Sequence, residues 1–446
     1  MRPLNFNDPK IQQAVTALLT ILSLLGLVGG IISAKGGSSQ PPEDPAPAQT
    51  TTSTTQSPAP PTQPAPASDE PTTAKTPEET GETALSREQV VAQGVANRGG
   101  TIGTSGKPVI ALRFDHHLDP FGKKVLPLLE KYRLPWSQII NPSTVGKSDD
   151  RWTWGQIARA AHNTGGEVWN HGWSHANFYT EEQADQAITQ SLETLRDNLP
   201  SLTIDGWAPP GNTSVMGMEG ADTPEKFTDT YPGQLVLSQH AFIRGYFPQR
   251  FQTLDGSNSL GQGHLTMDKR TRGRISEEIE KAVRTGTGLT LMSHPSYLDQ
   301  PGYIKTSELE EALSYIAQLR DEGKLEVMSS TGIMLADKSK DEDDGDLLDL
   351  PENGAISGKT VVEVKRGLAT VGVPHELEAV MTGEGQATIR VRVDSPSFPV
   401  SSEHTVSLTD TPQRLSTLVT PPKDTSHIFV SITGNANYSH LSYKPI

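Results

Sequence analysis

The chain of 446 residues is long enough for two or three domains. Only 34% of it is hydrophobic, low for one compact globule, so some part is expected to be unstructured. The formal net charge of −15 argues against the basic face that nucleic-acid binding needs, and the lack of cysteine excludes disulfides, thiolate metal sites and cysteine nucleophiles, leaving His, Asp and Glu to hold any metal.

Residues 14–34 (AVTALLTILSLLGLVGGIISA) carry no charge and are mostly apolar. About 20 such residues cross a bilayer as a helix. Arg2 and Lys10 precede the run, a weak positive-inside signal. Two readings stay open: a retained single-pass anchor, or a cleaved signal sequence, which usually has a shorter apolar region and prefers a smaller residue than Ile32 at its position. Either way residues 1–35 form the anchor or signal and the remainder is exported, to the cell membrane's outer face or as a secreted protein. Residues 36–105 open with Pro/Thr/Ser-rich sequence that cannot bury enough apolar surface to offset its chain entropy, and are expected to be a disordered linker.

From residue 106 the pattern changes. KPVIALRF reads as a strand, GKKVLPLLEKYR as a helix, WSQIIN as a strand, TWGQIARAAHNTG as a helix ended by Gly165 and EVWN as a strand. EEQADQAITQSLETLRDNL reads as a longer helix, TIDGWAPP as a strand, ISEEIEKAVRTG as a helix, GLTLMS as a strand, TSELEEALSYIAQLRDEG as a helix and KLEVMSS as a last strand. Strands alternating with helices of this length predict βα units with a parallel sheet or barrel, whose functional residues gather at the C-terminal strand ends. Residues 338–353 (KSKDEDDGDLLD and neighbours) read as an acidic linker whose spacing does not fit an EF-hand loop. In residues 354–446 short alternating runs such as ATIRVRV predict a small all-β sandwich. Sugar-binding sandwiches often use tryptophan platforms, but all six tryptophans precede Pro209.

Four predicted strand ends carry RFDHHLD, WNHGWSH, WAPPGN and LMSHPSYLD. They bring together Asp115, His116, His117, His171, His175 and His294. His171 and His175, four residues apart, share a face if that turn is helical, so both imidazoles can reach one ion. Zinc and similar divalent ions accept imidazole and carboxylate, and the first strand end offers a third ligand. A bare HxxxH pair is by itself a weak signal.

The segments FDHH, NHGWSH, WAPPG and LMSH, in this order, resemble the motif series of the polysaccharide deacetylases, carbohydrate esterase family 4, also called the NodB homology domain. The resemblance covers residues 107–337. It implies a distorted (β/α) barrel over residues 106–337 and a divalent metal, zinc in the first instance with cobalt, nickel or manganese as alternatives. It also implies hydrolysis of acetyl groups on a glycan such as peptidoglycan or a chitin-like polysaccharide. By position Asp115 is the base, His116, His171 and His175 are the metal ligands and His294 is the catalytic acid; His117 stands as the alternative ligand to His116. Trp173, Pro209 and Tyr297 are expected to face substrate. Asp229, Asp255 and Asp268 are candidates for the carboxylate that orients His294. Two departures stand out. His116 occupies a ligand position where the family has Asp, and Ala208 occupies the position of an arginine that orients the base. A silent glycan-binding or adhesion module with the same fold, and an amidase or esterase acting on another substrate, fit the same residues.

The anchor reading predicts that the mature protein stays in the membrane fraction with a protease-sensitive stalk; recovery of a soluble protein beginning near Lys35 overturns it.

Overall fold

The computed structural model describes residues 85–446 apart from 148–149, 177–179, 211–229, 245–248, 258, 262, 343–344 and 352. The expected anchor, and the linker as far as residue 84, lie outside the described residues. Among the described residues no helix is long and apolar enough to cross a membrane.

The expected linker does not extend to residue 105. Helix α1 (Arg87–Ala96) is closed at its start by a capping box in which Ser86 and Gln89 satisfy each other's backbone donors. Arg87 then donates to the carbonyls of Leu237, His240 and Ala241, and Val90 and Gly94 are buried. This attachment is made by backbone carbonyls of a distant segment, which local composition does not register.

Seven strands form the frame of the α/β domain. They are β1 (Val109–Asp115), β2 (Trp136–Ile140), β3 (Gly166–Asn170), β4 (Gly206–Trp207), β5 (Phe242–Arg244), β6 (Gly288–Ser293) and β7 (Glu326–Met328). The order β6-β1-β2-β3-β4-β5 is parallel throughout, and β7 also pairs in parallel with the first half of β1. The sheet is extended at both sides by two-residue strands, and the described pairings do not close it into a ring. Every residue of β1, β2, β3 and β6 is buried, as expected for a parallel sheet covered on both faces.

The covering helices follow the periodicity read from the sequence. Helix α2 (Trp154–Thr164) starts on a Thr153/Gln156 capping box, buries Ile157, Ala158 and Ala161, and stops at Gly165. Helix α3 (Arg272–Thr285) buries Ile275, Ile279 and Ala282 at helical spacing. Helix α4 (Thr306–Asp321) buries Leu309, Leu313 and Ile316. Each large aliphatic side chain taken from water in this way contributes about 1.5–3 kcal/mol. Helix α5 (Ser330–Leu335), entirely buried, follows β7 and was not anticipated.

The C-terminal domain corrects the expected two-sheet sandwich. Six strands, β8 (Gly354–Glu363), β9 (His375–Gly383), β10 (Gln386–Asp394), β11 (Val400–Ser407), β12 (Gln413–Val419) and β13 (His427–Pro445), belong to one antiparallel sheet. The 19-residue β13 is its spine. Its first half pairs with β10 and its second half with β9, while β8 runs along its other edge. The outer strands β11 and β12 approach each other, with Ser402 Oγ 2.6 Å from Thr417 Oγ1, so the sheet curls toward a barrel. Gly434 lies at the middle of β13 with φ +142°, where a Cβ would sit 2.8 Å from the Gln386 carbonyl oxygen. A glycine there lets one strand bend while serving both halves. Alternating burial of Ala387, Ile389, Val391 and Val393 is as the sequence predicts and supplies this domain's own core.

The acidic linker also differs from the solvated segment expected. Leu348 is buried, the Leu347 N–H donates to the Tyr443 carbonyl, and Asp346 accepts from the backbone N–H of Tyr443 and Leu348.

The two domains share buried contacts. The Thr420 side chain donates to the Gly166 carbonyl at the start of β3, and the His162 ring bonds the Thr420 carbonyl at 2.6 Å and Ser201 Oγ at 2.9 Å. Carboxylate oxygens of Glu326, Glu376 and Glu378 lie within 4.8 Å of one another. Arg414 lies among them, 2.7 Å from Glu378, 3.3 Å from Glu326 and 3.8 Å from Glu376, and Lys107 bonds Glu326 from the other side. Burial would raise the Glu326 carboxyl, yet Arg414, Lys444 and Lys107 together hold it down, at about 2. Removing one partner from such a buried set leaves uncompensated charge and costs about 3–5 kcal/mol. Arg414→Met is therefore expected to lower the unfolding free energy by about that amount in urea titration. A loss below about 1 kcal/mol would show that other contacts hold the interface.

Candidate functional site

The parallel sheet brings the C-terminal ends of β1, β3, β4 and β6 to one edge. Asp115 is the last residue of β1, and His116 and His117 follow it in the left-handed region, with φ 40° and 55°. For bulky residues this conformation costs about 1–3 kcal/mol each. It is held by β2: the His116 N–H donates to the Ile139 carbonyl at 2.8 Å, and Gln138 Nε2 donates to the His116 carbonyl at 2.9 Å.

The turn after β3 is built by two asparagines. Asn170 Oδ1 accepts from the Gly172 N–H at 3.0 Å and from Ser191 Oγ at 2.6 Å. Asn141, just past β2, donates to the His171 and Gly172 carbonyls. Gly172 has φ +76°, and a Cβ there would lie 3.1 Å from Pro210. The turn is not a helix; His171 and His175 converge through this loop, with His175 itself at φ 39°.

The outcome is a cluster of three imidazoles. The His116 ring centroid lies 5.7 Å from that of His171 and 4.6 Å from that of His175, and the latter two are 5.1 Å apart. One ring nitrogen from each can be taken so that all lie within 4.8 Å of one another. His171 Nδ1 donates to the Ala208 carbonyl at 2.8 Å, which fixes the tautomer and leaves Nε2 as a buried lone pair with no partner. Burial, with the neighbouring histidines, holds His116 well below the usual imidazole range. Burial, outweighing the Asp115 charge, brings His171 down to about 3 and also lowers His175. All three are therefore neutral, the form that ligates metal. An orphaned, oriented nitrogen within a neutral three-nitrogen set fits a divalent ion of the zinc type.

Asp115 lies beside this cluster, with Oδ2 4.0 Å from His171 Nε2. The expectation that it lacks an orienting arginine, because position 208 is alanine, is corrected. Arg113 Nε and Nη2 donate to Asp115 Oδ1 and Oδ2, both at 2.6 Å. Burial would raise the Asp115 carboxyl, but Arg113 and, less strongly, His171 and His294 hold it well below the usual carboxylate range. Arg113 was missed from the sequence, although the period of two along a strand puts residues 113 and 115 on one face.

His294 follows β6, and its ring centroid is 5.2 Å from that of His116. Its Nδ1 donates to Asp268 Oδ2 at 2.6 Å, while Asp268 Oδ1 accepts from Ser293 Oγ and the His294 N–H, both at 2.9 Å. Burial lowers this imidazole, but the Asp268 bond and the charges of Asp115 and Asp268 outweigh it, so the ring is protonated more readily than a free one. Of the three carboxylates considered, Asp268 is the partner. Asp255 instead accepts from Ser257, and Asp229 lies outside the described residues.

Tyr297 is 37% exposed, with its ring 5.3 Å from His294 and 4.6 Å from Tyr303. Trp173 is half-buried and Pro209 is buried. Trp169 and Trp207 are fully buried in the core. His117 lies outside the three-nitrogen group, its ring 4.0 Å from that of His116.

Residues 102–215 match the family profile described as polysaccharide deacetylase. No curated protein sequence matches the chain. Solved structures similar to it include a family 4 acetyl xylan esterase from Clostridium thermocellum in complex with a cobalt ion, at 20% identity over 50% of this chain and 89% of that one, with a TM-score of 0.32. A family 4 carbohydrate esterase from Bacillus anthracis is similar at 15% identity over 55% and 90%, TM-score 0.30. A family 4 pseudoenzyme from the same organism is similar at 14% identity over 52% and 68%, TM-score 0.32.

Three neutral imidazoles converging on one point predict one divalent ion per chain. His171→Ala and His175→Ala are each expected to lose it in elemental analysis of the purified protein, and full occupancy in both would rule out the site.

Proposed function

We propose that this chain, whose residues 102–215 match the polysaccharide deacetylase profile, is a metal-dependent deacetylase. It removes acetyl groups from an N-acetylated glycan, peptidoglycan or a chitin-like polysaccharide, outside the membrane. The apolar run 14–34 holds it there and the Pro/Thr/Ser-rich stretch after it acts as a spacer. The observation that carries this reading is that the neutral His116–His171–His175 cluster lies beside both an ionised carboxylate, Asp115, and a carboxylate-bound imidazole, His294.

His116, His171 and His175 would hold the ion, zinc or else cobalt, nickel or manganese, and its charge would polarise the acyl oxygen and acidify the attacking water. The residues of the chain supply the remaining chemistry. Asp115, ionised and bound on both oxygens by Arg113, accepts the proton of the water that attacks the acetyl carbon. An amine is expelled from a tetrahedral centre only if it is protonated. His294, with Nδ1 committed to Asp268, has Nε2 left to deliver that proton. Tyr297 beside His294, with Trp173 on the other histidine loop, offers an aromatic face to the sugar ring.

Acetate release from N-acetylglucosamine oligomers and from peptidoglycan tests the reading, on chelator-treated protein resupplied with each metal in turn. Turnover that returns with metal is expected. Its absence with every substrate and metal would favour a silent glycan-binding module. Within an active protein, His294→Ala is expected to slow amide cleavage by about 10²-fold or more while slowing cleavage of an activated aryl acetate much less, because an aryl oxide leaves without a proton. Equal losses on both substrates would remove the acid role from His294.

A further inference from the structure

Asp115 and Arg113 form the one described pair of charges within β1, and both side chains are nearly inaccessible, at 3% and 2% exposure. The two hydrogen bonds from Arg113 are the only ones the Asp115 carboxylate makes among the described residues. Neither oxygen is therefore free to turn without breaking a charged bond. Arg113 is fixed in turn: it stands in the middle of a parallel register, opposite Ser137 on β2 and Met292 on β6.

The position of the carboxylate matters because of what lies beside it. Asp115 Oδ2 is 4.0 Å from His171 Nε2, the buried nitrogen without a partner. A carboxylate oxygen is a good ligand for any ion that three imidazoles hold. An unrestrained aspartate here has two competing uses, as a proton acceptor or as a fourth ligand. A ligated carboxylate has given up the lone pair and charge that make it a base. A side chain of two torsions needs only a small rotation to change between them.

We propose that Arg113 is a positioning residue that selects between these two uses. Its guanidinium occupies both carboxylate oxygens and holds Asp115 off the three-histidine site, reserving it for proton transfer. A fork geometry is needed for this task, since a single ammonium can engage one oxygen and leave the other to swing. This rests on the deacetylase reading only for the proton-transfer half; the restraint itself is a statement about ligand choice in the protein with or without turnover.

The test uses the full chain and two variants, Arg113→Met, which keeps bulk in the core, and Arg113→Lys, which keeps the charge but loses the fork. Zinc affinity is measured on metal-free protein by competition with a chromophoric chelator, and kcat and KM by acetate release. In Arg113→Met the freed carboxylate joins the site. Zinc is expected to bind more tightly than in the unaltered protein, while kcat falls about 10²-fold with little change in KM. Arg113→Lys is expected to lie between the two proteins on both scales. A residue that merely supports the fold would behave in the opposite way, weakening zinc by about 10–100-fold as the ligands lose their setting and lowering thermal stability with it. Zinc affinity unchanged or weakened in a folded Arg113→Met protein overturns the proposal. Tightened zinc with no turnover in the unaltered protein upholds the restraint and overturns the deacetylase reading, so the two failures are told apart.

Discussion

β1 is buried along its whole length, and that constraint governs much of the rest. It pairs with β6 on one side and with β2 and β7 on the other, so no side chain on it faces solvent. Such a strand tolerates charge only where the charges neutralise each other, since an isolated buried ion costs several kcal/mol even after relaxation. Arg113 and Asp115 meet the requirement two residues apart on one face. A pair of this kind is a weak source of stability compared with two apolar side chains of similar volume. The pair sits at the C-terminal end of β1, beside the histidine cluster, with Asp115 Oδ2 4.0 Å from His171 Nε2.

The histidines are set by backbone as much as by side-chain packing. Three of the six described non-glycine residues with positive φ are His116, His117 and His175. Strain of this size persists where neighbouring structure over-determines it. At His116 the neighbours are hydrogen bonds from β2, and Asn141 and Asn170 fix the turn that carries His171 and Gly172. These hydrogen bonds fix the backbone that carries His116 and His171.

The alternation of strands and helices, their boundaries to within a few residues, and the meeting of four strand ends were legible because periodicity and the parallel-sheet rule are local or topological properties. Less legible were partners supplied across the fold. Asp268 reaches His294 from a loop beside a two-residue strand, Leu265–Thr266, too short to leave a pattern. The period of two in RFD sets Arg113 on the face of Asp115, whereas position 208, near Pro209, carries alanine. In the C-terminal domain, alternation told which side chains face inward but not which strands pair, and the bend at Gly434 that makes one sheet from an expected two has no hydrophobic signature. Residues 85–105 and the acidic linker were read as solvated because their attachments are mostly backbone hydrogen bonds and single apolar side chains.

The curled C-terminal sheet meets the α/β domain at the opposite end of the strands from the histidines. Thr420 bonds the carbonyl of Gly166 at the start of β3, while His171 follows the last residue of that strand. Five residues of parallel strand separate these points by about 16 Å. Contact at that distance supports the base of the sheet, away from the histidines. The second domain, with the buried Glu326–Glu376–Glu378–Arg414 group at its junction, therefore adds its buried surface at the starts of the strands, where the described contacts between the domains lie.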